Sequence, residues 1–288
     1  MSNNTEEQIT QNVLDSMANA ANPRLKQVMS SLVSHLHAFI REVDLTQEEW
    51  MLGIQFLTRT GQMCDEKRQE FILLSDVTGT SMLVDAVNHR LPAGATESTV
   101  FGPFYREGAP ELPMGASISQ NQRGEPVVVS GRVLSIDGTP IAGALLDIWE
   151  TDENGLYEQQ DPDQPDMNLR GKFRTDGEGR YCFIGIKPVS YSIPDDGPVG
   201  QLLQTLGRHP FRPAHIHLMI SAEGFMTITT HLFVKGDPYL DSDAVFGTKD
   251  SLVVDFVRHD SQEEASRYQI AAPFYTVEYD FVLQPLNR

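Results

Sequence analysis

Short β-type stretches alternate with turn sequences from about residue 126 to residue 283, and this pattern constrains the fold more than any other feature. The segments GKFRT and YCFIGI flank the turn Asp176-Gly177-Glu178-Gly179, which is a strong signal for a β-hairpin. The segments HIHLMI, TITTHLFV, LVVDFV and TVEYDFVL follow, with further turn residues between them. About eight short strands with no helix between them predict an antiparallel β-sandwich or barrel.

The N-terminal third of the chain follows a helical pattern. Apolar side chains recur at three- and four-residue steps between Leu25 and Val43, which predicts an amphipathic helix. Thr46 and Glu49 have the spacing of a capping box at the start of a second helix, and a third helical stretch ends before Pro92. The chain is therefore predicted to be an α+β protein.

We place the boundary of the two parts in the glycine- and proline-rich connection after the helices. The prediction is a helical domain over residues 1–95 and a β-sandwich domain over residues 96–288, which carries the catalytic site.

Composition narrows the range of partners and compartments. The net charge of −18 argues against nucleic acid and anionic membrane surfaces as partners. The two cysteines, Cys64 and Cys182, occur in unrelated contexts, which predicts a reducing compartment and no disulfide framework. The N-terminal sequence MSNNTEEQITQ is unlike a secretory signal, and no apolar run is long enough to span a bilayer. We expect a soluble, cytoplasmic protein.

The motif RPAHIH places two histidines on one side of a strand. His215 and His217 are two residues apart in a β-type stretch, where alternate side chains share a face. His35 and His37 have the same spacing, but two residues on a helix are about 200° apart. Only the strand pair therefore forms half of a metal site.

Two kinds of residue are candidates to complete this site. A third histidine, His209 or His231, would give a zinc-type centre. The alternative is tyrosine: Tyr157 ends the segment DENGLY, and Tyr191 lies in KPVSYSIPDDGPVG, which is predicted to be a proline-rich loop ahead of the histidine strand. Spacing alone leaves both completions open.

The β half of the chain resembles the intradiol ring-cleaving catechol dioxygenases. The stretch VSGRVLSIDGTPIAGALLDIWETDENGLY, residues 129–157, fits the signature of that family, as do the segments PVSYSIPDDGPVGQLL and GRHPFRPAHIH. The helical segment LLSDVTGTSMLVD is similar to the branch of the family whose members act on catechols as homodimers. The resemblance therefore covers nearly the whole chain.

The resemblance implies one ferric ion, Fe(3+), per subunit, bound by Tyr157, Tyr191, His215 and His217 with a solvent-derived hydroxide. Anionic oxygen ligands suit a hard, highly charged cation, and a bound cation deprotonates tyrosine. The implied reaction is ring cleavage: a vicinal diol chelates the ion, O2 attacks the activated ring, and the ring opens between the two oxygenated carbons. The hydroxide and Tyr191 are implied as the bases that take the two protons of the diol, and Tyr191 leaves the metal when it is protonated.

Two further residues are implied as catalytic. Arg212 precedes His215 by three positions and corresponds to the guanidinium that stabilises carbanionic charge on the substrate ring. The alternative for this arginine is a structural ion pair. His231 lies where catechol-type members often carry glutamine, and it either assists proton transfer or satisfies a neighbouring strand.

The loop ATESTVFGPFYR, residues 95–106, resembles the form found in hydroxyquinol 1,2-dioxygenases. This predicts hydroxyquinol (benzene-1,2,4-triol) as the substrate and 3-hydroxy-cis,cis-muconate, hence maleylacetate, as the product; catechol and chlorocatechols are the alternatives. Asp76 is the candidate acceptor for the third ring hydroxyl. The residues expected to bind substrate are Leu73, Asp76, Val100, Phe101, Gly102, Pro103, Phe104, Ile193, Pro194 and Arg212.

The resemblance also implies a homodimer formed through the N-terminal helices, with an apolar tunnel that holds a phospholipid. Two other classes of function remain as alternatives. One is a zinc hydrolase built on the histidines, which would be colourless and would not need Tyr157 or Tyr191. The other is a transthyretin-like β-sandwich that binds a ligand without chemistry.

Overall fold

The computed structural model describes residues 5–66 and 68–286 and confirms the α+β organisation. The chain divides into two compact units, of which the first ends at Arg59 and the second begins at Thr60. Within the described ranges, no helix combines the length and the apolar character needed to cross a bilayer. The proposed functional boundary after residue 95 stays a prediction.

The first unit is helical and contains α1 (Glu6–Ser16), α2 (Pro23–Glu42) and most of α3 (Gln47–Gln62). The predicted capping box is confirmed at the start of α3. The backbone N–H of Thr46 donates to the Glu49 carboxylate at 2.9 Å, and the N–H of Glu49 donates to the Thr46 hydroxyl at 3.2 Å. These two bonds satisfy donors that the first turn of a helix leaves unpaired.

Helix α2 has the predicted amphipathic pattern, but its apolar side chains are exposed in the single chain. They are Leu25, Val28, Met29, Leu32, Leu36, Phe39 and Ile40. Helix α3 likewise exposes Trp50, Met51, Leu52, Ile54 and Leu57. Contiguous apolar surface of this kind marks an interaction surface on a folded protein.

The second unit begins with two helices and continues as a β-sheet domain with two further helices. The helices are α4 (Glu70–Val77), α5 (Thr80–Asn88), α6 (Pro198–Thr205) and α7 (Gln262–Ser266). The strands are β1 (Pro126–Ser135), β2 (Leu145–Trp149), β3 (Arg170–Arg174), β4 (Arg180–Ile186), β5 (Tyr191–Ser192), β6 (Phe211–Arg212), β7 (His215–Ser221), β8 (Ile228–Val234), β9 (Val253–Val254), β10 (Val257–His259), β11 (Phe274–Glu278) and β12 (Phe281–Leu283).

Two five-stranded sheets and one ribbon account for these strands. In the first sheet, β1 pairs antiparallel with β4 on one edge and parallel with β11 and then β12 on the other. The second sheet has the order β3-β2-β7-β8-β9, and β5 pairs with β6 alone. Antiparallel pairs predominate as predicted, but both sheets are mixed. In the first sheet β11 and β12 run parallel to β1, and in the second sheet β9 runs parallel to β8.

The core lies between the two sheets. Val127 and Val129 of β1 belong to the same buried cluster as Leu146 of β2 and Ile216 and Leu218 of β7. Apolar residues at alternate positions of each strand therefore fill the interior, as in a β-sandwich. The other face of β2, β7 and β8 points away from this core.

The prediction that no helix interrupts the strands was wrong. Helix α6 follows the segment around Tyr191, which the density of proline and glycine had suggested was only a loop. Pro198 sits at its first turn, where the missing N–H has no cost, and the buried residues Val199 and Leu203 are four positions apart. The Glu70 carboxylate accepts the N–H of Val199 at 3.1 Å and ties α4 to the start of α6.

Candidate metal centre

The candidate site lies on the outer face of the second sheet. Ile216 and Leu218 of β7 point into the core, so His215 and His217 point the opposite way. Their Nε2 atoms lie 3.0 Å apart, and both side chains are buried. Two imidazole nitrogens therefore converge on one point of this face.

His215 is fixed in the tautomer that a metal ligand requires. Its Nδ1 lies 2.6 Å from the carbonyl oxygen of Pro213, and a carbonyl only accepts, so Nδ1 carries the ring proton. Burial lowers the pKa of His215 to about 3, and the charge of Arg212 acts in the same direction. The ring is therefore neutral at physiological pH, and its Nε2 lone pair is directed at the site.

His217 is held by neighbours on both sides. The ring of Trp149 stacks on it, with centroids 4.8 Å apart and planes 18° apart. The Nε2 of His231 lies 2.7 Å from the Nδ1 of His217, and the hydroxyl of Thr99 lies 2.8 Å from the Nδ1 of His231. Burial lowers the pKa of both His217 and His231 well below the ordinary value. Both rings are therefore neutral.

Both predicted tyrosines lie beside these histidines. Tyr157 follows the turn after β2 and Tyr191 begins β5; their hydroxyl oxygens are 3.4 Å apart and both side chains are buried. The Tyr191 ring centroid is 5.5 Å from that of His215, and the Tyr157 centroid is 6.4 Å from that of His217. The fold thus brings the four predicted ligands together from three separate segments.

Tyr157 is enclosed by an aromatic ring and a buried ion pair. Phe104 stacks on its ring at 4.5 Å, and the Arg170 guanidinium carbon lies 5.8 Å from the ring centroid. Glu158 pairs with Arg170 at 2.9 Å, with both side chains buried. Burial, reinforced by Tyr191, raises the pKa of Tyr157 well above its ordinary value. In the protein alone this residue is a neutral phenol, and a bound cation would reverse that preference.

The donor set fits a hard, highly charged cation. His215, His217 and His231 form a buried group of possible metal ligands, with donor atoms within 4.8 Å of one another. However, His231 contacts the Nδ1 of His217, on the opposite side of that ring from the converging Nε2 atoms. His209 instead accepts the backbone N–H of Phe211 at 3.2 Å. The Nη1 of Arg212 lies 3.2 Å from the Nε2 of His215. The tyrosines, whose rings lie beside those of His215 and His217, supply anionic oxygen when deprotonated.

Arg212 forms an ion pair with Asp243 and also lies beside His215. Its Nε and Nη2 donate to the two carboxylate oxygens of Asp243 at 3.1 and 3.2 Å, and its Nη1 lies 3.2 Å from the Nε2 of His215. Burial opposes the charge on Arg212, but Asp243 and then Tyr191 outweigh it and raise the pKa of this arginine. The two interpretations of Arg212 are thus compatible in one geometry.

The loop that follows the helices passes directly over the histidines. Gly102 has φ +76°, and a Cβ at this position would lie 3.3 Å from the Cε1 of His217. Phe101 packs against Trp149 with ring centroids 5.9 Å apart. Phe101, Gly102 and Pro103 line one cavity of about 800 Å³. The predicted substrate loop is therefore at the site.

A second cavity, of about 410 Å³, is lined by five of the residues predicted to bind substrate, namely Leu73, Pro103, Phe104, Ile193 and Pro194. Val100 belongs to the same buried apolar cluster as Leu73 and Ile193. Asp76 lies one turn after Leu73 on α4 and is buried. Burial raises the pKa of Asp76, while Ser81 and the charge of Arg212 lower it. Eight of the ten predicted residues therefore line one of the two cavities or belong to the apolar cluster, and their role in substrate binding stays a prediction.

Sequence reasoning did not find four residues that the structure places around the cluster. Asp243 and Arg170 carry no motif, and they contact partners 31 and 12 positions away in sequence. Thr99 contacts His231 across 132 positions. Only Trp149 gave a usable signal, because its alternation with the core residue Ile148 places it on the outer face with the histidines.

Comparison with known proteins gives two family matches that together span most of the chain. Residues 22–96 match the family model described as the catechol dioxygenase N terminus, and residues 100–285 match the model described as dioxygenase.

Curated relatives match over nearly the full length of the chain. A hydroxyquinol 1,2-dioxygenase of Rhizobium sp. (strain MTP-10005) is 52% identical over 280 residues, which is 96% of this chain and 95% of that protein. A 6-chlorohydroxyquinol 1,2-dioxygenase of Cupriavidus pinatubonensis is 50% identical, covering 96% of each chain. A catechol 1,2-dioxygenase of Candida albicans is 41% identical, covering 95% of this chain and 91% of the other.

Solved structures agree with this result. The hydroxyquinol 1,2-dioxygenase from Pseudomonas putida DLL-E4 superposes with a TM-score of 0.90 at 50% identity, covering 98% of this chain and 99% of that chain. The wild-type catechol 1,2-dioxygenase of Acinetobacter radioresistens superposes with a TM-score of 0.87 at 29% identity, covering 100% of this chain and 96% of the other.

Proposed function

The chain belongs to the intradiol ring-cleaving dioxygenase family, and on this premise we propose that it cleaves hydroxyquinol. Both atoms of O2 enter benzene-1,2,4-triol, and the ring opens between the vicinal hydroxylated carbons to give 3-hydroxy-cis,cis-muconate and hence maleylacetate. The observation that carries this proposal is a sequence identity of 50–52%, over nearly the full chain, to a hydroxyquinol 1,2-dioxygenase and a 6-chlorohydroxyquinol 1,2-dioxygenase. The cluster of two tyrosines and two histidines supports the same chemistry.

The proposed cofactor is one Fe(III) ion per subunit, held by Tyr157, Tyr191, His215 and His217. The neutral histidines offer Nε2 lone pairs, and the tyrosines offer oxygens that balance most of the charge of a trivalent ion. When bound, the ion acts as a Lewis acid that chelates the diol and activates its ring toward O2.

The protein side of the reaction is proton transfer and charge stabilisation. Tyr191 is the proposed base: as a phenolate it would accept one proton of the diol at its oxygen, and a solvent-derived hydroxide would accept the other. It lies in a two-residue strand followed by Ile193 and Pro194, whereas Tyr157 is packed between Phe104 and Arg170. Because Tyr157 is packed on both sides and Tyr191 lies in a short strand, we assign Tyr157 as the ligand that stays bound and Tyr191 as the ligand that is released.

Arg212 stabilises negative charge that develops on the substrate ring. Two of its donors are fixed by Asp243, which leaves Nη1 beside His215 and directed at the ligand cluster. A guanidinium held in this way needs little reorganisation when charge develops next to it.

The substrate preference rests on the pocket wall and on Asp76. Val100, Phe101 and Phe104 provide apolar surface for the ring, and buried Asp76 is the polar group available to a third hydroxyl. The alternative substrate class is catechol or chlorocatechol, which lacks that hydroxyl. Oxygen-electrode measurements with triol and catechol separate the two, and labelling with ¹⁸O2 shows whether both oxygen atoms reach the product. Absence of O2 consumption by the iron-loaded protein with any of these diols would overturn the proposal.

The assembly proposal is a homodimer through the N-terminal helices. The exposed apolar residues of α2 and α3 would be covered by the second copy, and any apolar tunnel left between the helices would hold a phospholipid tail. A cytoplasmic location is part of the same proposal. Analytical ultracentrifugation tests the dimer, and mass spectrometry of an organic extract tests the lipid.

A further inference from the structure

The structure assigns Thr99 and His231 a joint role as positioning residues that hold His217 in its metal-binding tautomer. The inference rests on the proposed function, because it concerns how the protein prepares one ligand of the proposed iron. It differs from a role for His231 in substrate chemistry and from a role as a third histidine ligand.

The hydrogen-bond chain runs through three buried groups in a line. The Nδ1 of His217 is 2.7 Å from the Nε2 of His231, and the Nδ1 of His231 is 2.8 Å from the hydroxyl of Thr99. Thr99 is itself tied to β8, because its N–H donates to the carbonyl of Thr229 at 2.8 Å. His231 is fully buried and pairs with His217 across the strands β7 and β8.

The direction of this chain decides whether His217 can bind a metal. In one arrangement, His217 donates from Nδ1 to His231, and His231 donates from its own Nδ1 to Thr99. The Nε2 of His217 then has a lone pair directed at the site. In the other arrangement, Thr99 donates to His231, His231 donates to His217, and the Nε2 of His217 carries a proton that blocks ligation.

Thr99 can terminate the hydrogen-bond chain in either arrangement, because its hydroxyl can accept a proton from the Nδ1 of His231 or donate one to it. Changing from the blocked to the ligating arrangement moves each imidazole proton from Nε2 to Nδ1 and rotates one hydroxyl, with no net gain or loss of protons. An apolar side chain in place of Thr99 would leave the Nδ1–H of His231 buried without a partner in the ligating arrangement. By accepting this N–H, the hydroxyl allows the metal-binding tautomer to form without an unpaired buried donor.

The ring orientation is fixed at the same time. Trp149 stacks on His217 at 4.8 Å, and His231 meets the same ring edge-on, with centroids 4.1 Å apart. The hydrogen bond from His217 to His231 thus selects one rotation of a ring whose plane is already set by Trp149. Partners of this kind behind a metal-binding histidine typically contribute about 10- to 100-fold in metal affinity.

The test is the affinity and release rate of iron in matched variants, measured by metal analysis and by chelator competition. His231→Leu removes the acceptor for His217 and Thr99→Val removes the acceptor for His231, so both should bind iron about 10- to 100-fold more weakly. His231→Gln retains an acceptor and a donor, and Thr99→Ser retains the hydroxyl, so both should keep affinity near that of the wild type. The tyrosinate-to-iron absorption band should weaken in parallel with the loss of iron.

His259 provides the matched control. It also makes a histidine–threonine contact on a strand, with its Nε2 2.9 Å from the hydroxyl of Thr276, but outside the metal site. His259→Leu should leave iron affinity unchanged.

Unchanged iron affinity in Thr99→Val overturns the inference, even if His231→Leu fails to fold. A His231→Leu protein that keeps iron but loses kcat also overturns it, since the residue would then act on substrate. Failure of the proposed function is distinct, because it would appear as a wild-type protein without iron or without ring-cleaving activity.

Discussion

The Asp243 carboxylate accepts two hydrogen bonds from the Arg212 guanidinium, at 3.1 Å from Nε to Oδ1 and at 3.2 Å from Nη2 to Oδ2. The same carboxylate accepts the backbone N–H groups of Val245 at 3.2 Å and Gly247 at 3.0 Å. Arg212 holds the pKa of Asp243 below its ordinary value against the opposing effect of burial. The pair is therefore a charged, anchored unit beside His215.

Removing the Asp243 carboxylate should leave the buried guanidinium of Arg212 without its ion-pair partner. We expect Asp243→Leu to lower the free energy of unfolding by about 3–5 kcal/mol, as when one partner of a buried pair is lost. Asp255→Leu is the control, because Asp255 pairs with Lys235 at 2.9 Å on the exposed surface and should cost about 1 kcal/mol or less. Urea unfolding of the iron-free proteins measures both, and equal effects would contradict the buried-pair account.

Gly102 should be sensitive to both backbone strain and contact with His217. Its φ is +76°, and an added Cβ would lie 3.3 Å from the His217 ring, whereas Gly94, with φ +92°, has no atom within 4 Å of such a Cβ. Gly102→Ala and Gly94→Ala should each destabilise the protein by about 1–2 kcal/mol. Only Gly102→Ala should also lower kcat/KM for the triol, by about tenfold or more, because the added methyl group would displace the loop that lies above His217. Equal kcat/KM in the two variants would show that the loop does not contact substrate.

Glu150 should make stability depend on pH. Burial raises its pKa to about 8, although the Ile186 N–H donates to the same carboxyl. Between the unfolded value of about 4.5 and about 8, the folded chain therefore holds a proton that the unfolded chain has lost. In that window the unfolding free energy falls as pH rises, by about 1.4 kcal/mol per pH unit at most.

Glu150→Gln is neutral at every pH and retains an acceptor for Ile186. The stability of this variant relative to the wild type should therefore improve steadily from pH 6 to pH 8 and level off above it. Denaturant unfolding across this range provides the measurement. Parallel stability curves for the two proteins would mean that Glu150 is ionised when folded.

Asp76 should determine the preference for three hydroxyls over two. Asp76→Ala should lower the ratio of kcat/KM for triol to that for catechol by about 10- to 100-fold, the contribution of one hydrogen bond to a buried or charged partner. Most of the change should lie in the triol value. Steady-state kinetics with both substrates measure the ratio, and an equal loss for the two would instead indicate that Asp76 acts through Arg212.

Local patterns in the sequence were sufficient to predict much of the fold. The spacing of Thr46 and Glu49 predicted a helix start that two hydrogen bonds confirm. The two-residue period of β7 predicted that His215 and His217 share a face, and their Nε2 atoms are 3.0 Å apart. Both results follow from geometry within a few residues, which sequence specifies directly.

The remainder depends on contacts that sequence spacing does not encode. The partner of Arg212 is 31 positions away, and that of His231 is 132 positions away. Helix α6 was missed because Pro198 was interpreted as a loop residue, whereas proline is also favoured in the first turn of a helix. The placement of the tyrosines beside the histidines was suggested by family resemblance, since tyrosine alone is more often a core residue.

The most direct test of the account is the visible absorption spectrum of the purified protein, before and after anaerobic addition of benzene-1,2,4-triol. We predict a burgundy band from tyrosinate-to-iron charge transfer, which shifts when the triol chelates the ion. A shift with catechol and none with the triol would retain the ferric site and contradict the substrate. A colourless, iron-free protein that added iron does not restore would contradict the central claim that Tyr157, Tyr191, His215 and His217 bind Fe(III).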